Sequence, residues 1–145
     1  MGVALQMMMK IDPVYQTGST DCGKACLMML LNYHKKNLKG LDALANSLDG
    51  VQVRTIESYL REKGFQVISG NFNYAFLCHF ITRKTPVICL LDDHYVLVKG
   101  VEHYKVIFNC PVLGEKKISA THFRRCWFND SDGACLLNWA IAAYD

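Results

Sequence analysis

Cys22 stands at the point where a polar, glycine-containing stretch, Gln16-Thr17-Gly18-Ser19-Thr20-Asp21, gives way to an apolar run from Ala25 to Leu31. Ser19, Thr20 and Asp21 supply N-cap side chains, so the pattern predicts a helix from Cys22 to about Lys36. A thiol in the first turn of a helix meets unpaired backbone N–H groups and the positive end of the helix dipole. Both favour the thiolate, the reactive form of cysteine. Gly23 allows close approach to the backbone, whereas Cys26, one turn further, is expected to face the core as a small hydrophobe.

A cysteine nucleophile needs a base, and the base needs a group to hold its ring. His94 opens an apolar strand, predicted over His94 to Val101, directly after Asp92-Asp93. Asn109 follows the end of the next strand, Tyr104 to Phe108. In an antiparallel hairpin the start of one strand lies beside the end of the next, so Asn109 is expected within hydrogen-bonding reach of His94. Asp92 and Asp93 are the competing candidates for that place. Gln16, six residues before Cys22 across a Gly-Ser-Thr loop, has a side-chain amide that would form an oxyanion hole with the Cys22 N–H. His34, His79, His103 and His122 lack partners of this kind and are read as surface or packing residues.

The elements that must carry these groups follow from periodicity. Residues 1–10 read as a leading strand or arm. Helices are predicted over Leu41 to Leu48 and from a Thr55 cap to Lys63, with Gly64 at the C-terminal left-handed position. A strand over Phe65 to Ile68, a helix from an Asn73 cap to Arg83 and a buried strand from Val87 to Leu91 come next. A turn at Asn109 to Glu115, a strand near Lys117-Ile118, a helix from Ser119 to Trp127 and a strand from Ala134 to Ile141 close the chain. Helices first and a mainly antiparallel sheet second make an α+β fold, expected as one domain over 1–145 with two subregions meeting at a cleft.

Composition narrows the partners. Hydrophobic residues make up 51% of the chain and charged residues 20%, a balance that supports a packed core. The net charge of +3 comes from scattered Lys and Arg with no basic stripe, so nucleic acid is not an expected partner. The longest apolar run is far below the roughly 20 residues of a membrane helix, and a soluble protein is expected. Seven cysteines, an odd number without a C-x-x-C pair or an export signal, fit a reduced, cytoplasmic setting. No metal is expected, because close ligand pairs are missing, and no cofactor is called for.

With these residues in place the sequence resembles the C39 peptidases, papain-like cysteine peptidases that often precede bacteriocin-exporting transporters. The family pattern of Gln, an acidic residue before Cys-Gly, a small residue and a second Cys is matched by Gln16, Asp21-Cys22-Gly23 and Ala25-Cys26. Its His before a hydrophobic strand is matched by His94-Tyr95-Val96-Leu97-Val98. The resemblance implies a papain-like fold in which Cys22 attacks a peptide carbonyl, His94 moves the proton, Asn109 fixes the imidazole and Gln16 stabilises the oxyanion. It also implies a peptide or protein substrate with small residues at the scissile bond, of the double-glycine kind. The chain departs from the family where Asn109-Cys110-Pro111 stands in place of Asp-Pro, and no transporter sequence follows. A module that binds a peptide in the same cleft without cutting it is the alternative; the presence of both Cys22 and His94 favours the enzyme.

Overall fold

A computed structural model describes residues 6–18, 21–44, 46–47, 50–51, 53–92, 94–127 and 138–145. Helix α1, Cys22–Tyr33, buries nearly every side it has: Cys26, Leu27, Met29, Leu30 and Leu31 are fully buried. A helix apolar all round belongs inside a fold. It stops at His34, beyond which Lys35 takes a positive φ and the Lys36 N–H returns to the Leu31 carbonyl, satisfying a terminal acceptor.

The expected helix over Leu41 to Leu48 does not form. Leu41, Ala43 and Leu44 instead close single turns onto carbonyls three residues back, and Asn46–Ser47 (β2) pairs with Gly50–Val51 (β3). Eight residues are too few to carry a helix without extensive packing, and only Leu41 of the described apolar residues here is buried. Helix α2, Val53–Glu62, starts two residues before the expected Thr55 cap and ends at Gly64, whose φ of 92° suits its predicted place.

Strand β1, Gln6–Met8, precedes the first helix. The second half supplies β4 (Gln66–Asn71), α3 (Tyr74–Thr82), β5 (Val87–Leu91), β6 (His94–Glu102), β7 (Lys105–Cys110), β8 (Gly114–Ser119), α4 (Ala120–Trp127) and β9 (Trp139–Tyr144). The Asn73 side chain caps α3 by accepting from the Phe76 N–H at 2.7 Å, as its type and position predict. The last strand lies later than expected; residues 134–137 of the predicted one lie outside the described residues. The turn expected from Asn109 is shorter, because β7 continues through Asn109 and Cys110.

All pairs in the main sheet are antiparallel, in the order β4-β9-β5-β6-β7-β8, with β1 added beside β6. The sheet is covered on both faces. Phe80 of α3 and Phe123 of α4 pack on Tyr144 and Phe108, which lie on one face. On the other, Ser69 of β4 donates to Glu57 of α2, and α1 lies against β6. The helices and mainly antiparallel sheet make the α+β architecture that the sequence predicts. Among the described residues no helix is long and apolar enough to cross a membrane.

Candidate active site

Cys22 is the first residue of α1, as predicted, but Asp21 does not cap it with its side chain. The Asp21 carboxylate accepts from the Thr17 hydroxyl at 3.0 Å. Ser19 and Thr20 lie outside the described residues. The first N–H groups of α1, those of Cys22 and Gly23, lie beside the sulfur and favour its thiolate. A third N–H comes from Tyr95.

That third bond follows from how the strands pair. Leu91 and His94 face each other across a two-residue connection, so their N–H and C=O groups bond each other, and those of Tyr95 point to the opposite edge. On that edge β7 pairs with β6 only from Leu97 onward. Tyr95 therefore has an N–H without a strand acceptor, and the Cys22 sulfur takes it. The nucleophile candidate is thereby set against the backbone of Tyr95, the residue after His94.

Electrostatics favours the neutral form of each group at rest. Burial pushes the Cys22 thiol above its ordinary value, and the three N–H groups oppose the shift without cancelling it. Burial also pulls the His94 imidazole below its ordinary value. Among the described residues no anion offsets that, and the ring's Nε2 is buried with no hydrogen-bond partner.

Asn109 is not brought to His94. The register pairs it with Leu97, three residues from His94, and paired residues share a face while successive ones alternate. Its side chain thus points to the opposite face, where Nδ2 donates to the Ile11 carbonyl at 2.9 Å in a fully buried position. Cys110, the next residue, lies on the His94 face. It is buried and close enough to act electrostatically on Cys22. Asp92 is turned to α4: its N–H donates to the Cys126 carbonyl and its carboxylate bonds the Cys126 thiol. Asp93 lies outside the described residues.

Gln16 is tied to the end of β7 by its backbone, its N–H donating to the Pro111 carbonyl at 2.9 Å. Its Nε2 donates to the Gly18 carbonyl at 2.7 Å, which leaves one of the two amide N–H groups free. Sequence reasoning missed the buried Lys99, whose Nζ donates to the same Ile11 carbonyl and pairs with Glu115. A lysine inside the apolar run Val96-Leu97-Val98-Lys99 was the available signal. Among the described residues no cluster of His, Cys, Asp or Glu could hold a metal ion.

Residues 10–131 match the model of the Peptidase C39 family. Solved structures agree with the fold. A double glycine motif protease from an AMS/PCAT transporter, in complex with the leader peptide, superposes with a TM-score of 0.77 at 22% identity, over 96% of this chain and 97% of that one. The peptidase domain of Streptococcus ComA, a bi-functional ABC transporter involved in a quorum sensing pathway, gives 0.75 at 17% identity, over 92% and 98%. A C39-like peptidase from Bacillus anthracis gives 0.74 at 11% identity, over 97% and 98%. No curated protein matches the chain.

Proposed function

The chain belongs to the peptidase C39 family, and from that premise we propose that it is a cysteine peptidase with Cys22 as nucleophile and His94 as base. The observation that carries the reading is the seat of the Cys22 sulfur: first residue of α1, faced by backbone N–H groups of which one comes from the residue after His94. A buried neutral thiol is a poor nucleophile alone, so His94 takes its proton as the sulfur attacks the carbonyl carbon. The C=O electron pair moves onto oxygen, which the Cys22 N–H and the free Gln16 amide N–H stabilise. His94 returns the proton to the leaving amine. Water, deprotonated by His94, then cleaves the thioester and restores the thiol.

Asn109 serves this chemistry at one remove. By holding the Ile11 carbonyl it fixes the arm that runs from β1 through Gln16 to Cys22. The substrate we propose is a peptide with glycine or another small residue at the scissile bond, by analogy with the double glycine motif protease. A peptide probe ending in Gly-Gly and a thiol-reactive group tests the reading. It is expected to label the wild type, to leave Cys22→Ala unlabelled, and to label His94→Ala at least 100-fold more slowly. Equal labelling of all three would remove the assignment.

A further inference from the structure

The buried Nε2 of His94 has no hydrogen-bond partner, and a base whose ring is unheld loses the tautomer and orientation it needs. The position from which it can be held is set by the sheet. On the His94 face, the residue of β7 nearest to it is the one across from Val96, a diagonal neighbour of His94. Continuing the pairing of Leu97 with Asn109 by one step puts Cys110 there. β7 is regular to that point, since Cys110 still pairs with Gly114 of β8. Cys110 is also buried, and its charge would be felt by both Cys22 and Cys26.

We propose that Cys110 is the positioning residue of this site, its side chain standing behind the His94 ring where an orienting acceptor acts. This rests on the reading of His94 as the base and adds the group that steers it. A thiol is a weak acceptor and carries no charge when protonated, so it packs the ring in place while giving the imidazolium little stabilisation. Among the described residues Asp92 does not take that place, since its carboxylate is on Cys126 of α4. A carboxylate at position 110 would supply the charge that the thiol lacks.

The test is a titration of the histidine side chains by NMR on the full chain, in the wild type and in Cys110→Asp. A carboxylate at that position, within about 6 Å of the ring, raises the His94 pKa by about 1–3 units. An unmoved His94 in a folded Cys110→Asp protein overturns the proposal. Should a buried Asp prevent folding, Cys110→Ser serves in its place: the hydroxyl is a better acceptor of similar size, and the 15N shift of His94 Nε2 is expected to move. No change in that shift overturns the proposal equally. The two readings separate cleanly, because the titration needs no substrate. A shifted His94 with no labelling of Cys22 by the Gly-Gly probe would reject the peptidase and leave Cys110 as the neighbour of the ring.

Discussion

Lys99 and Asn109 donate to one acceptor: Nζ of the first and Nδ2 of the second each lie 2.9 Å from the Ile11 carbonyl oxygen. Both side chains are buried, so a carbonyl oxygen with two lone pairs is fully satisfied inside the protein. The arm that precedes α1 is thereby tied to β6 and β7. Because either donor alone still covers the oxygen, Asn109→Ala is expected to cost about 1–2 kcal/mol in chemical denaturation. Adding Lys99→Met orphans the carbonyl, and the double variant should lose about 1–2 kcal/mol more than the sum of the two single losses. The same Asn109→Ala protein is expected to react with the Gly-Gly probe within about tenfold of wild type. A loss of about 10⁴-fold, the size seen when a ring-orienting group is removed, would give Asn109 the direct role expected from the sequence.

The pH behaviour follows from two burial shifts of opposite sign. His94 is pulled below 6.5, so it remains a base further into acid, and the acid limb of kcat/KM is expected below pH 6.5. Cys22 is pushed above 9.0, so simple alkylation by iodoacetamide, which needs the thiolate, should still be rising at pH 9. The same shifts bound stability. For a histidine whose folded pKa is depressed, the unfolded chain takes the proton first, and stability is lost as pH falls from 6.5 through the folded value. His34, also lowered by burial, acts in the same direction. For a thiol whose folded pKa is raised, stability is kept below 9.0 and lost as pH climbs through the folded value. Urea midpoints should form a plateau between about pH 6.5 and 9; an acid limb of kcat/KM above 6.5 would contradict the assignment of His94.

Gly100 sits under β1 at the irregularity where Val98 and Gly100 break the β6–β7 register. A Cβ there would come within 2.6 Å of the Met7 carbonyl oxygen and 3.0 Å of the Met8 Cα, both backbone. Gly100→Ala therefore pushes β1 off the sheet, with an expected loss of about 1–3 kcal/mol. Hydrogen exchange should show faster exchange at Met7 and Met8 with β5 unaffected; uniform exchange across the sheet would mean the damage is global.

The elements whose signals are local were legible in the sequence. Asn73 caps α3, Gly64 ends α2 in the left-handed region, and Cys22 opens α1. The face of Asn109 was not, because it depends on a pairing offset. β6 runs to Glu102 and turns through His103 and Tyr104, both at positive φ, and a shift of one residue in such a hairpin moves every side chain to the other face. The same holds for the Leu41 to Leu48 segment, where helical spacing was real but the burial to sustain it was not. Lys99 was visible as a charge in an apolar strand, yet its acceptor comes from 88 residues away, beyond any local pattern.

Gln16 gives the sharpest test of where transition-state charge is held. One amide N–H is spent on Gly18 and one is free, while the Oε1 is buried without a partner. The backbone of Gln16 is separately anchored on Pro111, so Gln16→Ala should keep the loop in place and remove only the amide. If that amide meets the oxyanion, kcat falls by about 10²–10³ while KM for a Gly-Gly peptide changes little. Gln16→Glu replaces a donor with an acceptor-only group, which repels the developing charge and should lower kcat at least as far. A structural role alone predicts a different pattern, a reduced urea midpoint with kcat within about threefold of wild type, and that result would dismiss Gln16 from the oxyanion hole.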